Sequence, residues 1–450
     1  MFIVLPVFIE PIVKPKMRLL KHFGLLISTT LLFSAQNGFS QANDSQSQLN
    51  SSKPLSNMLL TKGDIADVLT DHALDNRFPN KLIFNFGSEQ DKKIGHVEYT
   101  FDPSVHQNMA DVYMKYQPDY ACFVAIDVET GAILNLTSFI KQEDPEILDN
   151  LVMRSNYPAA SVFKMITAAA GLDTGKVSPS TVIPFNGKPT SLHKKQVLSH
   201  KDNKWTRRPT FKESFAKSVN PVFGQVGVFN LGAEKLNNYA SKFGFGEVLQ
   251  SDFNLAPSMV NLKLDNEFEI AEAASGYTKD ITLSPIHAAQ LAAIVANDGK
   301  MVTPYMVESV SDKQGDLIYK NKSTAQAEEV ISAKAAKDLQ SLMRETVRIG
   351  SARKSFSGLN RYKVYKDMKI GGKTGSLTGF SPKGRHDWFV GYAQKDGHKV
   401  AYASLIVNKE KWYVRSAYVA RQFIYHYYTQ RKAEQQKLAQ LSSVDNTKTN

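Results

Sequence analysis

One cysteine, Cys122, stands in 450 residues. An internal disulfide and a cysteine-rich metal site are therefore excluded. So is a lipidated N-terminal cysteine, because Cys122 lies far from the start. The ten histidines include no ligand spacing such as His-Glu-x-x-His, so packing or solvated roles are expected for them and no metal. There is no internal repeat and no long block of like charge. Acidic residues are in deficit, 43 against 55 Lys and Arg, which gives a net charge of +12. Such an excess favours anionic partners: nucleic acid, acidic lipid headgroups or an anionic cell wall. No motif that reads RNA or DNA accompanies it, so nucleic acid is set aside.

What is present suits a globular chain: 42% hydrophobic and 22% charged residues, enough for one large domain or two ordinary ones. The central stretch runs from Asn156 to Gly175 and contains Ser161-Val162-Phe163-Lys164. Pro158 precedes an Ala-rich, helix-favouring run, and Gly175 suits the position past its end. Ser161 is thus expected at a helix start, with Lys164 one turn on and on the same face. A serine hydroxyl needs a base to become a nucleophile, and a partly desolvated lysine can be that base. Unpaired N–H groups at the helix start can stabilise an oxyanion. The bare spacing recurs at Ser191/Lys194, Ser214/Lys217 and Ser351/Lys354, so context must decide.

Two motifs supply it. Ser218-Val219-Asn220 follows Ser161 by 57 residues, and Lys373-Thr374-Gly375-Ser376 follows Ser218 by 155. Read alone, Ser218 to Asn220 would be a turn before Pro221. Gly371 to Gly375 invites a phosphate-loop reading, but Asp367 stands where that motif needs glycine, and the reading fails. As a strand, the same glycines permit close approach of a ligand, and a peptide can add alongside. Ser-x-x-Lys, Ser-x-Asn and Lys-Thr-Gly in that order resemble the penicillin-binding protein transpeptidase domain, a family that shares these motifs with the β-lactamases. The similarity extends from about Tyr99 to Tyr428.

The resemblance implies an α+β fold: a five-stranded antiparallel sheet covered by helices, with an all-helical lobe from roughly 156 to 300. It implies that Ser161 is the nucleophile, Lys164 its base, and Ser218 the relay to the leaving group. Asn220 would hold a substrate amide. Lys373 would supply positive charge and the Thr374 and Ser376 hydroxyls would hold a carboxylate, with Gly375 between them. The N–H groups of Ser161 and Ser376 would form the oxyanion hole. No cofactor is implied. The partners would be peptidoglycan stem peptides ending in D-Ala-D-Ala and β-lactams as their mimics. Departures touch the rim: Ala159-Ala160 replaces the more usual Pro-Gly, Val162 and Val219 replace small polar residues, and the segment from Leu377 to His386 is long.

Along the chain, residues 1–16 have no role that the sequence reveals. Lys16, Arg18 and Lys21 precede an apolar run from Phe23 to Phe33, shorter than the roughly 20 residues a spanning helix needs. This reads as a signal peptide with Ser40-Gln41-Ala42 as cleavage site, an uncleaved anchor being the rival. Either places the protein in the periplasm or on the outer face of the inner membrane. Residues 43–57 are expected as a linker, and 58–98 as a short region without chemistry, too short for a transglycosylase. The hairpins expected are Ala121 to Asp127 with Ala132 to Phe139, and Trp388 to Ala393 with Lys399 to Asn408 around Asp396-Gly397. Ser416 to Tyr428 reads as an amphipathic helix closing the domain near residue 430, and 431–450 as a disordered polar tail. The basic run from Lys188 to Lys212 reads as a solvated insertion, with an anionic-glycan contact as the alternative. Trp388, Tyr392 and Tyr418 are expected in the core. The sequence therefore predicts a monofunctional D,D-transpeptidase. A D,D-carboxypeptidase, a β-lactamase or β-lactam sensor, and a non-catalytic envelope scaffold remain as alternatives.

Overall fold

A computed structural model describes residues 3–4 and 59–448, except 86–91, 143–149, 200, 250, 262–265 and 322–326. The expected signal peptide and linker lie outside the described residues.

The strand Tyr120–Asp127 is buried at nearly every position because its alternate side chains enter two different cores. Val124 and Ile126 face one, Phe123 and Ala125 the other. It pairs antiparallel with Ile133–Ile140, and Asp127 shapes the connecting turn by accepting from the N–H groups of Glu129 and Thr130, each at 3.0 Å. A second hairpin, Lys383–Lys395 with His398–Asn408, turns on Asp396 and Gly397. Both residues have positive φ (51° and 82°), the conformation that a two-residue hairpin of this twist needs. In space the five long strands run Ile133–Ile140, Tyr120–Asp127, His398–Asn408, Lys383–Lys395, Lys369–Phe380. All pairings are antiparallel. A two-residue strand, Ile3–Val4, adds at the Ile133–Ile140 edge. At the other edge, Lys369–Phe380 bears the Lys-Thr-Gly motif and pairs on one side only among the described residues.

One sheet face is covered by Pro103–Tyr116 and by the last helix, whose Phe423 packs on Phe123 and Tyr402, with Ile424 and Tyr427 in the same core. The other carries Pro285–Ala296, buried along its whole length, beyond which the helical lobe extends. The fold is α+β, as the resemblance implied. Trp388 and Tyr392 are buried, while Tyr418 is half-buried at the rim of the second core.

Three boundaries differ from expectation. The last helix does not stop near Tyr428 but runs Ser416–Lys448, so the expected disordered tail is helical. Gln, Lys and Glu are good helix formers, and polarity alone does not end a helix that a core has already nucleated. Residues 59–98 are not set apart from the domain. Lys81–Asn85 pairs with Lys92–Tyr99, which pairs with Val307–Ser311, which in turn pairs with Leu317–Lys320, and Ile65, Leu69 and Phe84 enter the main core. The basic run is solvated only in part: Leu192 and Val197 are buried against Ala271, whereas Trp205 is 74% exposed.

Candidate active site

Ser161 lies in a 3-10 turn, Ala160–Phe163, that leads into the helix Lys164–Asp173. Its neighbour Ala160 has φ +50°, a left-handed conformation that costs an alanine of order 1–3 kcal/mol. The site is built to hold it there. Ala159 N–H donates to Ile281 O at 2.9 Å, and Trp388 Nε1 donates to Pro158 O at 3.0 Å. Gly276 backs the turn so closely that a Cβ there would sit 2.0 Å from Ala160 O. Gly375 lets the edge strand approach the turn, less tightly: its Cβ would stand 3.0 Å from Val162 Cγ2 and 3.3 Å from Ala159 O.

Lys164 is fully buried. Its Nζ lies 2.8 Å from Ser161 Oγ and 2.7 Å from Asn220 Oδ1, and also donates to Ser275 O. Burial, reinforced by the charge of Lys373, pushes its pKa well below the ordinary lysine value and so favours the neutral amine. A neutral amine has two N–H donors and one lone pair. Asn220 Oδ1 and Ser275 O can only accept and use both donors, because the other end of the Asn220 amide donates to Thr190 O at 2.9 Å. The lone pair is left for the Ser161 hydroxyl.

Ser218, also left-handed at φ +56°, turns its hydroxyl toward Lys373, whose Nζ donates to Ser218 Oγ at 3.0 Å and to Thr374 O at 2.8 Å. Lys373 is fully buried, and desolvation lowers its pKa to about 7. Thr374 Oγ1 meets Ser351 Oγ at 2.5 Å, and Arg385 Nε donates to Ser376 Oγ at 2.8 Å. A cleft of about 600 Å³ lies over Ser161, Ser218, Asn220, Thr374, Gly375 and Ser376. The structure thus brings together the residues predicted from sequence: Lys164 and Lys373 lie just beneath, bonded to lining residues. Of the other Ser-x-x-Lys pairs, Ser214 is buried and donates to Thr210 O, and Ser191 donates to Lys188 O.

Several groups in the cleft or beneath it had escaped the sequence. Ser351 was named only as the start of a recurring Ser-x-x-Lys pair with Lys354. It docks on the helical lobe, where its N–H donates to Ala216 O at 3.0 Å. Thr190, Ser275 and Arg385 carried no signal, since each is placed by a contact remote in sequence.

Residues 121–425 match the model of the penicillin binding protein transpeptidase domain. The chain belongs to that family. It is 28% identical over 376 residues to the peptidoglycan D,D-transpeptidase PbpA of Mycobacterium tuberculosis, covering 74% of this chain and 72% of that protein. It is 27% identical over 277 residues to the stage V sporulation protein D of Bacillus subtilis, covering 58% of this chain and 40% of that one. The imipenem acyl-enzyme complex of M. tuberculosis penicillin-binding protein A superposes with TM-score 0.58 at 25% identity, over 74% of this chain and 80% of that one. The D,D-transpeptidase domain of an Eggerthella lenta peptidoglycan glycosyltransferase gives TM-score 0.61 at 22% identity, over 75% and 84%.

Proposed function

We propose that the chain is a serine-type peptidoglycan D,D-transpeptidase acting on stem peptides that end in D-Ala-D-Ala, and that β-lactams acylate it as substrate mimics. One observation carries the reading: Lys164 is fully buried, with a pKa that burial lowers, and its Nζ lies 2.8 Å from the Ser161 hydroxyl. Ser161 Oγ attacks the penultimate carbonyl while Lys164 takes its proton, and the N–H groups of Ser161 and Ser376 receive the oxyanion. Asn220 holds the substrate amide. Lys373 with the Thr374 and Ser376 hydroxyls holds the terminal carboxylate, a buried cation and oriented donors being what a carboxylate needs. The carbon–nitrogen bond then breaks, and D-Ala leaves with a proton passed from Lys164 through Ser218. The acyl group moves to an amine of a neighbouring stem or, in the carboxypeptidase variant, to water.

We further propose that the protein works outside the cytoplasm, exported by its N-terminal basic and apolar segment, and that its cationic surface meets an anionic cell wall or membrane surface. The relatives named for peptidoglycan transpeptidation support the first of these. The test is labelling with a fluorescent penicillin, mapping of the modified peptide, and then incubation with stem peptides and an acceptor amine. Label on the peptide holding Ser161 and a cross-linked product are expected. Release of D-Ala without cross-linking would leave the carboxypeptidase, and absence of label would leave the scaffold.

A further inference from the structure

The catalytic cleft does not end at Ser376. It continues past Leu377 to Arg385, Asp387, Arg415 and Ser416, which line the same cavity as Ser161. The sheet register fixes what a substrate meets there. Ser376 is opposite Asp387, and Thr378 opposite Arg385. A donor peptide adding to the open edge of Lys369–Phe380 has its terminal carboxylate at Lys373 and Thr374 and its scissile carbonyl at Ser161. Its upstream residues therefore advance along Leu377 and Thr378, about 3.4 Å per residue. The third stem residue comes level with Arg385.

Both arginines are anchored at one end. Arg385 spends Nε and Nη2 on Ser376, at 2.8 Å to Oγ and 3.4 Å to O. Arg415 sets Nη1 3.8 Å from Asp387 Oδ1 and lies 3.7 Å over the Trp412 ring. A guanidinium carries five N–H donors in a rigid fork, so each retains donors after these contacts. Asp387, the one carboxylate lining the cleft among the described residues, is turned to the protein: its Oδ2 accepts from Ser416 N–H at 2.9 Å and Ser416 Oγ at 3.0 Å. A cation entering here meets two guanidiniums and a carboxylate already engaged. An anion meets two partly free forks.

We propose that Arg385 and Arg415 form a carboxylate subsite for the side chain of the donor's third residue. The enzyme then selects donors whose third residue ends in a free carboxylate, as diaminopimelate does, over those ending only in an amine, as lysine does. The proposal rests on the transpeptidase reading above.

The test compares acyl transfer from three synthetic D-Ala-D-Ala stem peptides: third-residue diaminopimelate, its side-chain carboxamide, and lysine. Concentrations of active enzyme are set by penicillin titration. The free carboxylate should exceed both others in kcat/KM by about 10- to 100-fold, the worth of a charge-assisted pair. In Arg385→Gln and Arg415→Gln that ratio should fall toward one, and because it is taken within a single preparation a partly misfolded variant does not imitate the loss. A wild-type ratio near one, or a ratio unchanged in both variants, overturns the subsite while leaving the transpeptidase reading intact. No transfer from any stem, with Ser161 still labelled by penicillin, overturns both.

Discussion

Lys373 Nζ and Ser218 Oγ are 3.0 Å apart, although 155 residues separate them in the chain. That bond joins the sheet to the helical lobe across the floor of the cleft. It also ties Ser218 to one of the two buried lysines of the site, Lys373 and Lys164, whose pKa values are each lowered first by burial. The chemistry of the site depends on which lysine holds a proton.

Acylation should therefore decline on the alkaline side. Lys164 must be neutral, and burial holds its pKa well below the ordinary value, which favours that form. Lys373 must be charged to hold a carboxylate, and its pKa is lowered from 10.5 to about 7. The second-order rate constant for acylation by penicillin, which reports the free enzyme, should fall as pH rises through about 7. Lys373→Arg, which stays protonated, should lose that limb. Stability moves the other way: between 7 and 10.5 the unfolded chain binds the Lys373 proton and the folded one does not, so this residue's contribution improves as pH rises. A rate that climbs steadily from pH 7 to 9 would contradict the assignment.

Ser161→Ala should abolish covalent labelling, and Lys164→Ala should slow acylation by about 10²- to 10⁴-fold. Ser214→Ala should leave labelling intact. Ser351→Ala should keep the label on Ser161 but acquire it more slowly, since the Thr374 hydroxyl loses its 2.5 Å partner. Time courses with fluorescent penicillin separate these outcomes; full labelling of Ser161→Ala would remove the nucleophile assignment.

Gly276→Ala should both destabilise the fold and impair acylation. Its φ is +60°, and the new Cβ would stand 2.0 Å from Ala160 O, a backbone atom that cannot turn aside. Overpacking and left-handed strain together suggest a loss of about 3 kcal/mol. Denaturant unfolding and penicillin labelling of the same sample check it. Wild-type behaviour in both would show that the turn before Ser161 is looser than described.

Penicillin should stay on the enzyme. Rapid deacylation needs a second base aimed at a water on the acyl carbonyl. The nearest glutamate in sequence to such a role, Glu234, is exposed on the helix Gly232–Lys242 and does not line the cleft. Leu231 and Leu236 of that segment are buried. The adduct should last minutes or longer, against a median turnover of about 10 s⁻¹ for enzymes. Intact-protein mass spectrometry after removal of excess penicillin measures it. Loss within about a second would identify a β-lactamase.

Much of this was legible in the residues themselves. Ser161 and Lys164 are three apart on one helical turn, and Asp396-Gly397 between two apolar runs specifies a hairpin, because local spacing and turn conformation are short-range properties. Trp388 and the strand beside it read as core because a strand buried on both faces leaves an unbroken apolar run. The tertiary structure alone decided where Ser351, Thr190, Ser275 and Arg385 stand, since each meets the site through a contact that no local pattern encodes. It also decided the state of Lys164. A lysine in a sequence is a charged residue; a closed core around it, with Asn220 and Ser275 accepting from its Nζ, is what favours the neutral form that a base needs.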